Sequence, residues 1–432
     1  MPVRALLDDS PFTRQQMLVI GICFVLNMLD GMDVLAIAYA APLIAAGWSL
    51  TPQALGIAFS AALVGMTIGA IFISPYTDII GRRNMIIASL SLIALGMMAT
   101  AFAQSVSQLI ILRLIAGLGI GSMLASLTSM VSEYAPERNR NMCVLFLQAG
   151  YPIGAIITGF VAAWLLPEYG WRSLFIFAAI TSMVAVPLVV YLLPESLEFL
   201  VRKQPEGALQ KINRILAKMD LQTLNELPEV PASEHGSGRL TAVLSPNLRS
   251  STLWLWLAFF MSFATLYFLL SWVVKLAVDA GMALEDAMFV GIALNLGAFI
   301  GALSLGYLSS RLGLKRMISI FFLIGAIASI VYGNSKVSVP LTLVLIFVMM
   351  FFVQGAFIGL YAVAARLYPT EIRTTGIGWS IGAGRIGAIL GPALAGFILG
   401  AGVSIGWTFF VFAIPIVIAA IAVVKIPSKA ID

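Results

Sequence analysis

Twelve apolar runs of about twenty residues recur along the chain, and no other feature restricts its fold so severely. A helix of that length, rising ~1.5 Å per residue, crosses the ~30 Å of hydrocarbon in a bilayer. Lipid offers the backbone no hydrogen-bond partner, so each run must satisfy its own N–H and C=O groups as a helix. The spans are expected at 17–46, 52–74, 84–103, 107–132, 142–165, 173–193, 251–279, 286–308, 317–335, 339–365, 374–400 and 406–426. Only 10% of the 432 residues are charged and 60% are hydrophobic. A soluble protein carries roughly a quarter charged residues, so the chain reads as an all-α membrane protein. The first run starts near Met17 and contains Ala38-Tyr39-Ala40, which mimics a signal-peptide cleavage site, but Asp30 and Asp33 interrupt its apolar region and it is read as a span.

The net charge of +5 is distributed by topology rather than gathered into a nucleic-acid surface. When spans alternate from a cytoplasmic N-terminus, all but five of the Lys and Arg fall in cytoplasmic segments. Arg172 and Lys336 fall outside, and Arg113, Lys275 and Arg385 fall within spans. This asymmetry predicts that both termini are cytoplasmic. Cys23 and Cys143 lack any surrounding Cys or His pattern, so neither a disulfide framework nor a metal site is indicated. The single histidine, His235 in SEHGSG, reads as a solvated loop residue. There is no nucleophile set beside a base and no cofactor motif, so an enzyme is not indicated.

The one long polar stretch, Pro194 to Ser250, carries seven basic residues and looks flexible. It divides the chain into an N-terminal six-span unit (1–193), a cytoplasmic linker (194–250) and a C-terminal six-span unit (251–432). The units repeat. Gly65/Gly69 recur as Gly297/Gly301, and the loop Asp78-II-Gly81-Arg82-Arg83 recurs loosely at Ser310 to Lys315, both at an offset of 232. Pro136 and Pro369, and the IGAI runs from Ile153 and Ile386, recur at 233. A shared offset across four landmarks implies a parallel duplication, which places a binding site near the midplane between two pseudo-symmetric six-helix bundles. Gly-x-x-x-Gly pairs at Gly65/Gly69, Gly150/Gly154, Gly297/Gly301 and Gly387/Gly391 let helices approach closely. Two roles are open for them: static packing, or smooth surfaces on which the halves rock.

Asn27, Asp30 and Asp33 step at i, i+3 and i+6 and share one broad helix face. Counted along their helices, both carboxylates and Arg113 lie ~20–24 Å from the cytoplasmic edge, so these charges can meet. Ionisable groups inside a membrane are expensive and point to function. Desolvation and a nearby Arg pull a carboxyl in opposite directions, which suits Asp30 and Asp33 to carry protons; a permanent ion pair with Arg113 is the structural alternative. Arg385, ~16 Å into its span, has no acid in the central part of any second-half span and suits a ligand carboxylate, which a guanidinium holds in a bidentate pair. The alternative is a tie to Asp30, Asp33 or a main-chain carbonyl. Lys275 and Asp279 read as side chains snorkelling to the surface. Tyr39, Gln148, Tyr151, Asn295, Gln354, Tyr361 and Trp379 are candidates to bind a flat ligand, with helix packing as the alternative for each.

These motifs carry a resemblance. SPYTDIIGRR from Ser74 and RLIAGLGIGS from Arg113 resemble signatures of the major facilitator superfamily. DGMD from Asp30, SEYAPERNR from Ser132, LPESLEFL from Leu193 and YPTEIRTTGIGWSIGAGRIGAILGP from Tyr368 are similar to the aromatic acid:proton symporter family within it. The resemblance implies the major facilitator fold and proton-coupled import of benzoate- or hydroxybenzoate-like acids across a bacterial inner membrane, by a protein expected to be monomeric and to need no cofactor. Carried over residue by residue, it assigns Asp30, Asp33, Arg113 and Glu133 to proton coupling and Arg385 to substrate. Asp78, Gly81, Arg82, Arg83, Arg311 and Arg373 are assigned to gating. Gly391-Pro392 resembles part of an antiporter signature but falls in the eleventh span, while the fifth has Thr158-Gly159, which favours symport. The loop signature departs at Ser74, which replaces a glycine, and at Ile79, which replaces an Arg; the second copy keeps Arg311 and has Ser310 in place of the acid. Each copy lacks one charge, so the gate is either held across the halves or weaker. The charged end of span seven, SWVVKLAVDAG, leaves the acid open: a muconate-like dicarboxylate and nicotinate remain alternatives, with a non-transporting receptor behind them.

Overall fold

A computed structural model of the chain describes residues 6–8, 12–228, 240–335, 337–369 and 372–427, and His235 and Lys336 fall outside these. Among the described residues, twelve helices are long and apolar enough to span a membrane. In the first half they are α1 (Arg14–Trp48), α2 (Pro52–Ile80), α3 (Arg82–Ala101), α4 (Val106–Tyr134), α5 (Arg140–Tyr169) and α6 (Trp171–Leu192). The second half holds α7 (Arg249–Asp279), α8 (Leu284–Leu312), α9 (Leu314–Asn334), α10 (Val339–Leu367), α11 (Arg373–Gly400) and α12 (Ile405–Lys425). No strand occurs among the described residues.

Local chemistry sets the ends. Thr13 and Gln16 close a capping box at the start of α1, satisfying two of the N–H groups that a helix start leaves free. Gly81 and Gly313 turn the chain at φ +96° and +88°, a region that costs a side chain dearly, so the loop repeats its geometry as well as its sequence. Near its end α2 loosens into a π turn at Gly69–Ile73 and a 3-10 turn at Ser74–Tyr76, where Pro75 has no N–H to give.

Glycine contacts show the duplication in packing. A Cβ on Gly65 or Gly69 would strike the carbonyls of Leu114 or Leu118 on α4, and one on Gly297 or Gly301 those of Phe347 or Phe351 on α10. Gly154 lies as closely on Met28 of α1, and its counterpart Gly387 on Phe260 of α7. The four pairs named above therefore lie inside a half, which overturns their reading as surfaces on which the halves rock, whereas Gly396/Gly400, with the same spacing, packs across the halves on Pro52 and Gln53. Removing the side chain brings two backbones together, and that close contact is what holds helices in lipid.

The halves meet instead through α2 against α11, α5 against α8 and α1 against α7. These contacts lie at the end remote from the linker. Gly56 packs against Pro392 and Gly396, and the Ser60 hydroxyl donates to the Ile389 carbonyl at 2.7 Å. Phe59 meets Trp272 edge-on at 5.3 Å, and Phe160 meets Phe289 at 6.3 Å. The linker is more ordered than its composition suggests: it forms helices at Leu197–Lys203, Ala208–Lys218 and Leu240–Val243.

Gly154→Ala and Gly301→Ala each force a Cβ to 1.9 Å from a main-chain oxygen. Each is expected to lose about 1–3 kcal/mol by overpacking, read as a lower melting temperature of the detergent-purified protein. Gly21→Ala, with nothing within 4 Å of the new methyl, should melt like the parent.

Candidate functional site

Asp30, Asp33 and Arg113 are brought together in the interior of the first half, each at most 1% exposed. Their contact differs from a carboxylate ion pair. The Arg113 guanidinium donates to the main-chain oxygen of Asp33 at 2.9 Å and to the Met97 sulfur at 2.9 Å, and it lies over the Phe175 ring at 5.9 Å. Its charge still acts on the Asp33 carboxylate. Ser182 donates to Asp33 Oδ2 at 3.4 Å, whereas Asp33 Oδ1 and Asp30 Oδ1 are buried without a hydrogen-bond partner. Asn27, one turn below, donates to the Leu147 carbonyl at 2.7 Å and belongs to the α1–α5 packing.

Arg385 approaches from the second half. It is half-buried and makes no hydrogen bond or ion pair among the described residues, yet its charge acts on Asp30, Tyr151, Tyr267 and Tyr361. Beside it stands an aromatic wall. Phe259, Phe263 and Tyr267 follow at i, i+4 and i+8 on α7, and Phe357 and Tyr361 at i, i+4 on α10. Phe263 stacks on Tyr267 at 5.9 Å and meets Phe357 edge-on at 4.6 Å, while Tyr361 meets Phe259 at 5.3 Å. The Tyr151 hydroxyl is buried and has no partner. An unpaired guanidinium beside ring faces can hold a planar anion, its charge bonded and its ring packed.

Of this wall only Tyr361 was expected. The i, i+4, i+8 spacing of Phe259, Phe263 and Tyr267 was the available signal. It is weak, since aromatic residues are common in apolar helices. The other candidates lie elsewhere. Tyr39 is buried at the meeting of the halves, where its hydroxyl donates to the Ala155 carbonyl at 3.2 Å and its ring lies on Gly291 of α8. Asn295 also donates to the Gly291 carbonyl at 2.9 Å. Gln354 is half-buried, and Gln148 is exposed at the linker end of α5. Trp379 is 46% exposed and stacks on Trp256 at 6.1 Å, about 9 Å along α11 from Arg385. Lys275 pairs with Asp279 on the rim of a cavity of about 160 Å³ between the halves, so it is bonded rather than simply reaching for the surface.

Glu133 is placed away from the buried acids, ~30 Å along α4 from Arg113. There Arg82 binds Glu133 at 3.1 Å and Asp78 at 2.9 Å, and the Ser196 hydroxyl donates to the other Glu133 oxygen. Glu195 accepts from the main-chain N–H of Arg83 at 3.0 Å, and a Cβ on Gly81 would meet its carboxylate. This network ties the loop to the start of the linker inside one half, so Arg82 makes good the charge missing at Ile79. In the second half, Arg311 lies over the Tyr307 ring at 4.5 Å and Arg373 donates to the Tyr368 carbonyl at 3.3 Å. The contacts joining the halves seal the remote end, while Gln148 and Trp379 are exposed at the linker end.

This arrangement predicts a one-sided pattern of thiol labelling. In a Cys23→Ser/Cys143→Ser background, Gln148→Cys should react with a membrane-impermeant maleimide applied from the linker side, and Ser60→Cys should stay protected. Equal reactivity of the two would contradict the seal.

Comparison with known proteins agrees with this architecture. The profile of the Major Facilitator Superfamily matches residues 23–333 and 255–430. The chain is 32% identical to the gallate transporter of Pseudomonas putida, over 98% of this chain and 94% of that protein. It is 33% identical to the 4-hydroxybenzoate transporter PcaK of Acinetobacter baylyi, over 98% and 93%. Its fold matches the crystal structure of a D-xylose-proton symporter with a TM-score of 0.76 at 16% identity, covering 96% of this chain and 99% of that one.

Proposed function

We propose, on the premise that this chain belongs to the aromatic acid:proton symporter family of the major facilitator superfamily, that it carries benzoate- or hydroxybenzoate-like carboxylates together with protons by alternating access. The observation that carries this reading is Arg385, a cation with no hydrogen bond or ion pair among the described residues, which follows Gly384, packed on Phe263 and Phe259 of the aromatic wall, and lies within electrostatic reach of Asp30. A substrate carboxylate bonds the guanidinium and its ring packs on the aromatic wall. Asp30 and Asp33 take the proton: each has a buried oxygen with no donor, and a neutral carboxyl is far cheaper there than a bare charge. With the linker end in the cytoplasm of a bacterial cell, both termini lie inside and the present shape is open inward.

The site favours a monoacid over a dicarboxylate. A second carboxylate needs a second free cation, but Arg113 is bonded to Asp33 and Met97, and Lys275 is held by Asp279. One proton with a monoanion moves no net charge, so uptake follows the pH gradient alone; each further proton adds ~2.3 kcal/mol per 100 mV of potential.

Uptake of radiolabelled 4-hydroxybenzoate into proteoliposomes tests the assignment. Removing one partner of a buried charge pair costs about 2–5 kcal/mol, so Arg385→Gln should raise the half-saturating concentration at least roughly thirty-fold. Asp30→Asn/Asp33→Asn should keep exchange of labelled for unlabelled acid but lose accumulation driven by a pH gradient. Undiminished accumulation in the double variant rules out these residues as proton carriers.

A further inference from the structure

A cavity of about 530 Å³ lies away from the seam between the halves, at the linker end of the first half. Its walls are the end of α2, the start of α3, the end of α6 and the linker helix Ala208–Lys218. That helix is amphipathic. Ala208, Ile212, Ile215 and Leu216 are buried, while Lys211, Arg214 and Lys218 step at i, i+3 and i+7 along the adjacent, exposed face. All three cations line the cavity, and Arg83 lines it from the facing wall.

The cations are poorly neutralised. Lys211 donates to the Glu206 carbonyl at 3.3 Å and Arg83 to the Val190 carbonyl at 2.5 Å, both uncharged partners. Arg214 and Lys218 make no hydrogen bond or ion pair among the described residues. Glu195 is the acid in the lining, and its Oε1 already accepts the N–H groups of Arg83 and Ser196 at 3.0 and 2.8 Å. The rim is apolar and exposed: Ile79 and Ile80 at the end of α2, Tyr191 and Leu192 at the end of α6. Span ends are where hydrocarbon gives way to head groups, and basic faces of amphipathic helices lie at that depth. A free anion would satisfy the cations and leave the rim in contact with nothing suited to it.

We propose that this cavity binds the phosphate head group of an anionic phospholipid, whose acyl chains run out past Ile79 and Tyr191 along α2 and α6. A lipid held this way fastens the linker helix to the span ends. The assignment is independent of which solute the seam between the halves carries.

Titrating the detergent-purified full chain with fluorescent phosphatidylglycerol tests it. Saturable binding is expected, and Lys211→Gln/Arg214→Gln/Lys218→Gln should weaken it on the order of a hundredfold, at about 1 kcal/mol for each basic residue near an anionic surface. Lys425→Gln, on the other half, should bind like the parent. Ile79→Ser/Tyr191→Ser, which leaves every cation in place, should also weaken binding severalfold. Phosphatidylcholine and millimolar inorganic phosphate should fail to compete. Unchanged affinity in either multiple variant, or equal competition by phosphatidylcholine, overturns the site. Displacement by inorganic phosphate overturns the lipid in favour of a free anion.

Discussion

A charge buried among apolar helices has no water to fall back on, and that constraint organises this molecule. Arg113 has no exposed surface, and its guanidinium bonds a main-chain oxygen and a thioether and lies over a ring face rather than bonding a carboxylate oxygen, while its Nε–H is left without a partner. The consequence falls on the acids. Asp30 and Asp33 each keep an oxygen with no donor, so the pair is held close to a cation without being locked to it. A locked ion pair would be a strut. A loosely held one responds to the arrival of a proton or an anion, because neither event has to break a strong bond first.

Much of this was legible in the chain. Hydrophobic run length gave the spans, since lipid leaves the backbone no alternative to a helix. Heights counted along helices brought Asp33 and Arg113 together, because the rise per residue is nearly fixed. What that counting cannot supply is the atom bonded, and the partner proved to be the Asp33 carbonyl. Of the two roles left open for the glycine pairs, packing within a half is the one the structure gives them, and counting could not choose it for a related reason. A bare helix stripe fits any close neighbour, and sequence does not say whether the neighbour is in the same half. Gly56, Gly159 and Gly291, and the pair Gly396/Gly400 of the same spacing, are glycines packed where the halves meet. In the linker, three basic residues on one face of an eleven-residue helix were hidden in a stretch read only for its polarity.

The duplication governs shape more strictly than chemistry. Phe24 stacks on Phe146 at 4.4 Å, and the positions related by the repeat offset, Trp256 and Trp379, stack at 6.1 Å. Both stacks join the same pair of helices, α1 with α5 and α7 with α11. Phe146 and Trp379 are each nearly half exposed at the linker end. Helix contacts, glycine contacts and aromatic stacks thus repeat together, as two copies of one packing solution require.

Charge does not repeat, and the reason lies in where each half is dry. Opposite Asp30 and Asp33 the second copy has Ser262 and Thr265, whose hydroxyls donate to the main-chain oxygens of Ala258 and Phe412 at 2.7 Å each and need no counter-ion. Opposite Arg113 it has the buried Ile346, and opposite Arg385 the first copy has Pro152. One half therefore holds the acids and the other the unpaired cation with its aromatic wall. The interaction of Asp30 with Arg385 crosses the seam between them. Any motion that parts the halves must change that interaction, and any ligand that neutralises one member changes the energy of the motion. Two identical halves would lack this linkage, since each would balance its charges within itself. In the proposed mechanism, breaking the symmetry of charge while keeping the symmetry of packing is what lets a duplicated bundle couple two solutes.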